Sequence, residues 1–180
     1  MTFAKTASRI DAMEGIRGAS LLQSAQHSWD DLALSPRAAK TFREISRRSG
    51  AGKRVAALIS GPAGSGKTRA ASLLARELGR QLIHIRLSEF HSRYIGETEK
   101  NLDRLFDAAD PVSVVLLFDE ADALFAKRSG GADGEDSHNA LEIHFLNCIE
   151  QYRGLAILAT HQCRRIDPLL VRRLHFAVRI

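Results

Sequence analysis

Short apolar runs alternate with stretches of helical period from about residue 55 to the end of the chain. Val55–Ser60 is apolar and stops at Gly61-Pro62, a turn signal, so it reads as a buried strand. Gly66 to Leu78 reads as a helix closed by Gly79, and Leu82 to Leu87 as a second strand. Leu102, Leu105, Phe106 and Ala109 recur at i, i+3, i+4 and i+7, which predicts a helix over Glu97–Ala109 that Pro111 ends. Val112 to Phe118 is almost wholly apolar, as a strand covered on both faces should be. Gly130 to Asp136 reads as a loop. The next helix is expected from about Ser137 to Tyr152, with Leu141, Phe145, Cys148 and Ile149 on one side. Leu155–Ala159 makes a fourth strand, and Phe176–Ile180 begins a fifth. Strands alternating with helices predict an α/β fold, a parallel sheet with helices on both faces.

Upstream of this pattern, Ser35 is a candidate N-cap with Pro36 at the first helical position, and that helix runs to about Arg48 before Gly50 and Gly52 end it. Trp29-Asp30-Asp31-Leu32 reads as a short extended entry. The first 28 residues are rich in Ala, Ser and Gly and show weak helical periodicity, so they read as a frayed helix or linker of unassigned role. The expected division is therefore residues 1–28 and a core domain over 29–180.

Composition narrows the function classes. With 180 residues, 44% hydrophobic and 26% charged, the chain is that of one ordinary globular domain, not a disordered tail or fibrous repeat. No run approaches the ~18 apolar residues of a membrane span, and Lys5, Arg9, Asp11 and Glu14 interrupt any signal-peptide core. Cys148 and Cys163 lack metal-type spacing, and Cys148 is expected simply to pack in its helix; a reducing cytoplasm is the expected location. The net charge of +5 resides entirely in residues 1–54. Arg43, Arg47, Arg48, Lys53 and Arg54 have no aromatic residues between them, which favours a solvated helix face over a nucleic-acid site.

Two local patterns carry chemistry. Gly61-Pro62-Ala63-Gly64-Ser65-Gly66-Lys67-Thr68 fits G-x-x-x-x-G-K-[ST] between a strand and a helix. Such a loop curls its amides toward phosphate oxygens at the positive end of the helix dipole. Lys67 supplies charge for the terminal phosphates of ATP, and Thr68 a hydroxyl for Mg2+. The strand Val114–Phe118 then delivers Asp119 and Glu120 to the carboxyl edge of the sheet, where ligands of open α/β sheets bind. Asp119 is placed to hold the metal and Glu120 to act as general base on water. Asp122 lies close by, where a helix or turn beginning there can use it as a cap.

Together these residues resemble an AAA+ ATPase of the P-loop NTPase superfamily, over about residues 29–180. Gly61–Thr68 resembles its Walker A motif and Val114–Glu120 its Walker B. The resemblance implies a three-layer α/β/α sandwich with a parallel sheet. Arg93-Tyr94-Ile95-Gly96-Glu97 resembles the first pore loop of substrate-threading members, in which Tyr94, Ile95 and Gly96 would line a central channel and grip polypeptide. Leu155–Thr160 resembles the strand leading to sensor 1, where the family usually carries Asn and this chain has His161. A neutral imidazole can also donate and accept, but in a different geometry, which bears on hydrolysis more than on binding. Ile166–Arg173 resembles the segment ending in the arginine finger, with Arg172 and Arg173 both candidates. Such arginines act on a neighbouring subunit's nucleotide, which implies a homo-oligomer, usually a hexamer. Family members continue into a helical lid, and no residue follows Ile180 to build one; weaker nucleotide retention and poorer ring stability are the expectation. The stretch Asp136–Gly154 resembles bacterial members of the FtsH/Cdc48-like branch.

These features point to an ATP-hydrolysing motor or remodelling subunit acting on protein substrates in a ring. Two other readings stay open: a nucleotide-gated binding module with little hydrolysis, and a DNA-handling ATPase, which the basic upstream segment motivates.

Overall fold

The computed structural model describes residues 2–22, 28–90, 97–125, 132–161 and 168–180. Its strands are β1 (Ala19–Leu22), β2 (Val55–Ser60), β3 (Gln81–Arg86), β4 (Val114–Asp119), β5 (Leu155–Thr160) and β6 (Phe176–Arg179). Its helices are α1 (Thr2–Glu14), α2 (Pro36–Gly50), α3 (Lys67–Glu77), α4 (Leu87–Phe90), α5 (Glu97–Ala108), α6 (Asp122–Phe125), α7 (Ala132–Gln151) and α8 (Pro168–Arg173). One sheet runs in the order β1-β3-β4-β5-β2-β6. Every pairing is parallel except β1 with β3, which is antiparallel.

Alternation along each central strand divides the interior in two. Val114, Leu116 and Phe118 of β4, with Ala56 and Leu58 of β2, face one apolar layer that includes Ile10 and Met13 of α1, Leu102 and Leu105 of α5, and Phe145 of α7. Val115 and Leu117, with Val55, Ala57 and Ile59, face the other, built on Phe42 and Ile45 of α2 and Leu73 and Leu74 of α3. Because both faces are covered, the strands read as continuous apolar runs. The result is the expected three-layer α/β/α sandwich. Phe118 anchors the first layer, stacked on Phe106 at 5.7 Å between ring centroids and edge-on to Phe145 at 4.9 Å.

Local chemistry sets the element ends. Ser35 Oγ accepts the Ala38 amide at 3.2 Å, the cap anticipated from the sequence. On the exposed side of α2, Arg47 and Arg48 both pair with Glu44, at 2.7 and 3.1 Å, so part of the upstream basic charge is answered within its own helix. Of the loop expected over Gly130–Asp136, residues 130 and 131 lie outside the described residues, and the rest is helical, because α7 begins at Ala132 and takes in Gly134. One glycine costs a helix about 1 kcal/mol and does not by itself stop it.

The helix expected in the N-terminal segment is present as α1, but it is packed on the core rather than frayed, and a strand follows it. Ile10, Met13 and Ile16 are buried in the first layer, and β1 extends the sheet with Ala19 opposite Ile85 and Leu22 opposite Leu82. Three large apolar residues and one four-residue strand leave little periodic signal, yet they suffice to cover α5 and the edge of β3.

Candidate nucleotide site

β5 lies between β2 and β4, so the loop after β2 and the carboxylates after β4 face one another across the end of β5. The sequence bends sharply after Ser60. Gly61 N–H donates to the Thr160 carbonyl at 3.1 Å, and a Cβ on Gly61 would fall on the Ile180 carbonyl oxygen, so only glycine fits there. Gly66 takes φ 94° at the head of α3, a left-handed conformation open to glycine at little steric cost. Leu32 packs where a Gly66 side chain would go, which brings the segment before α2 against the loop.

Inside this bend the Ser65 hydroxyl oxygen is buried without a hydrogen-bond partner among the described residues, an arrangement folded proteins rarely leave unanswered. The first turn of α3 carries no acidic residue, so its dipole faces the bend uncompensated. Lys67 Nζ donates to the carbonyls of Gly61 at 2.9 Å and Pro62 at 2.8 Å, which holds the ammonium over the mouth of the loop. A glycine-rich bend closed by a helix terminus and an ammonium is suited to a polyphosphate.

Opposite stands Asp119. Its Oδ2 accepts the Thr68 hydroxyl at 3.2 Å and meets His84 Nε2 at 3.1 Å, while its Oδ1 accepts the Glu120 amide at 2.9 Å. Burial pushes the Asp119 carboxyl up, but the contacts from His84, the Glu120 amide and Thr68 outweigh it and hold the group below its usual range. It is an ionised, oriented acceptor at neutral pH. Glu120 has φ 56°, a conformation costly for any residue with a Cβ and typical of functional sites.

At the end of β5, Thr160 Oγ1 donates to Asp122 Oδ1 at 2.6 Å and His161 Nε2 lies 3.4 Å from Asp122 Oδ2. The Ala121 amide bonds the Ala159 carbonyl at 2.9 Å, which stitches the acidic turn to this strand end. His161 thus stands beside the acidic turn, engaged with Asp122, itself the first residue of α6.

The structure brings together Gly61–Thr68, Asp119, Glu120 and His161. It does not bring Arg172 and Arg173 to them. Both are exposed, and Arg173 reaches Glu150 at 3.5 Å near the end of α7. The following His175 amide bonds Ala56, so the pair lies at the amino-terminal edge of the sheet, away from the loop of the same chain. Tyr94, Ile95 and Gly96 lie outside the described residues. His84 is the site residue that sequence reasoning missed. Its one signal was a polar residue inside the run Gln81-Leu-Ile-His-Ile-Arg86, which the alternation of a half-exposed strand explains equally well.

The profile of the AAA family, "ATPase family associated with various cellular activities (AAA)", matches residues 57–180. The chain belongs to the AAA family of ATPases. An "Uncharacterized AAA family ATPase y4kL" of Sinorhizobium fredii is 34% identical over 163 residues, which cover 82% of this chain and 48% of that protein. The "Proteasome-activating nucleotidase" of Saccharolobus islandicus is 33% identical over 135 residues, covering 72% of this chain and 34% of its relative. The chain thus spans about half or less of the length of these relatives. Among solved structures, that of the FIGL-1 AAA domain superposes with a TM-score of 0.69 at 24% identity, over 96% of this chain and 60% of that one. Membership of this ATPase family implies nucleotide binding.

Proposed function

We propose that this AAA chain hydrolyses ATP with Mg2+ and works in a homo-oligomeric ring that remodels or unfolds protein substrates. The observation that carries the reading is the Thr68–Asp119–Glu120 group facing the phosphate cradle. The donors suit magnesium: Thr68 Oγ1 and Asp119 Oδ2 are hard oxygens 3.2 Å apart. Adjacent ligands of an octahedral magnesium ion stand about 3 Å apart. When bound there, the ion neutralises charge on the terminal phosphates.

The chain's own residues do the rest. The loop amides and Lys67 orient the triphosphate, with the ammonium leaving its carbonyl partners for phosphate oxygens. Asp119, pinned by His84, keeps its carboxylate turned toward Thr68. Glu120, one residue beyond, accepts the proton of the attacking water. Arg172 and Arg173, remote from their own loop, would serve the nucleotide of a neighbouring subunit, where an added arginine stabilises transition-state charge. Tyr94, Ile95 and Gly96 are proposed to grip the polypeptide.

The test is ATPase rate per chain against protein concentration. A steep rise with concentration, lost in Glu120→Gln and in at least one of Arg172→Ala and Arg173→Ala, is expected. A rate independent of concentration and untouched by Arg172→Ala or Arg173→Ala overturns the ring assignment. A second reading, a nucleotide-gated binding module, is favoured by His161 being engaged with Asp122. Equal background rates for the unmodified chain and Glu120→Gln would select it.

A further inference from the structure

On the helical layer away from the phosphate loop, three side chains of different metal-binding chemistry converge. His144 and Cys148 are one turn apart on α7, so both project from one face toward α5. From α5, Asp103 Oδ1 reaches His144 Nε2 at 2.9 Å. Cys148 Sγ lies 3.7 Å from that same nitrogen and 3.9 Å from that same oxygen. We propose that Asp103, His144 and Cys148 are ligands of a divalent transition-metal ion, zinc by the chemistry of the set, that clamps α5 to α7.

The spacing suits a metal: with zinc bonds of about 2.0–2.3 Å, neighbouring tetrahedral ligands sit roughly 3.3–3.6 Å apart, so both sulfur distances lie within about 0.3 Å of the need, and the Asp103–His144 hydrogen bond at 2.9 Å opens by about 0.4 Å to admit the ion. The orientation suits convergence on one point. In a proton relay the two ring nitrogens of the histidine face different partners; here Nε2 alone faces both the carboxylate and the sulfur. The electrostatics suit a cation. The carboxylates of Asp103 and Asp107 stand on the α5 side of Cys148, and they attract a positive ion whose binding releases the thiol proton to solvent.

Access and a further ligand are available. Asp103 and His144 are partly exposed. A hollow of about 300 Å³ opens beside the cluster, lined by Asp107, Pro111, Cys148 and Tyr152. Asp107, one turn along α5 from Asp103, or a water molecule in the hollow completes four-fold coordination. A mixed sulfur, nitrogen and oxygen set selects zinc or cobalt over magnesium. The site stands apart from the nucleotide chemistry and does not depend on it.

The chain, freed of any affinity tag and stripped with chelator, should be titrated with cobalt(II) without nucleotide. One equivalent is expected to bind, with a thiolate-to-cobalt charge-transfer band that one equivalent of zinc removes. Cys148→Ser should abolish the band, His144→Gln should weaken binding at least tenfold, and Cys163→Ser and Lys67→Ala should leave both unchanged. Absence of the band in the unmodified chain overturns the proposal, as does a band that survives Cys148→Ser or disappears in Cys163→Ser. Should Cys148→Ser fail to fold, His144→Gln decides: unchanged cobalt affinity overturns the assignment.

Discussion

His84 Nε2 stands 3.1 Å from the same Asp119 oxygen that accepts the Thr68 hydroxyl. The parallel register of β3 and β4, with Arg86 opposite Asp119, places the imidazole two residues back along the neighbouring strand. The carboxylate is thereby held in one orientation from two sides. His84 is a positioning residue, and groups that orient metal-binding carboxylates typically matter by about 10–100-fold. His84→Ala should raise the magnesium concentration needed for half-maximal ATPase by about that factor and lower the saturated rate much less. His84→Gln should recover part of the loss. An unchanged magnesium requirement would show that Asp119 is oriented without it.

Glu120, the proposed general base, has a left-handed backbone, at φ 56°. Such a residue typically stores about 1–3 kcal/mol. Glu120→Gly should therefore raise the unfolding free energy by about 1 kcal/mol while turnover drops at least a hundredfold. Glu120→Gln should lose turnover alone, with nucleotide affinity kept. Denaturant melts beside single-turnover hydrolysis check both, and a destabilised Glu120→Gly would refute the strain.

His175 Nδ1 accepts the Ala56 amide at 3.0 Å, which a protonated ring cannot do through that nitrogen. Burial and the nearby Arg54 and Arg48 hold the imidazole below its ordinary value of 6.5. Just below that pH the unfolded chain binds more protons than the folded one, so this group's contribution to stability is present above pH 6.5 and declines as pH falls toward the folded value. His175→Asn keeps an acceptor in nearly the same place and does not titrate. Its melting temperature should fall less than that of the unmodified chain between pH 7 and 5; parallel curves would contradict the assignment.

Gly61 is the tightest point of the loop, since any Cβ there meets the Ile180 carbonyl. Gly61→Ala should force the loop and the end of β6 apart, cost about 1–3 kcal/mol, and weaken nucleotide binding. Calorimetric melts and nucleotide titration measure the two effects. Unaltered values for both would mean that the bend tolerates a side chain.

Much of this was legible in the sequence because the phosphate loop and the acidic pair are local. Val55–Ser60 and Val114–Phe118 announce themselves as buried strands, and each hands its functional residues straight to the turn that follows. The N-terminal strand was not legible, since Ala19–Leu22 gains meaning only from its partner β3. His84 and the Asp103–His144–Cys148 cluster were hidden for the same reason: each depends on register or packing between elements distant in the chain. Cys148 shows the limit most clearly. Read along the chain it is a residue packed in a helix, and only the approach of α5 gives it a carboxylate and an imidazole.

Binding of nucleotide by the bend after Ser60 is the claim on which hydrolysis and assembly depend, and titration with a fluorescent ATP analogue and magnesium tests it most directly. The unmodified chain should give a saturable signal that unlabelled ATP displaces, and Lys67→Ala should lose at least tenfold in affinity. Identical curves for the two proteins would contradict the account.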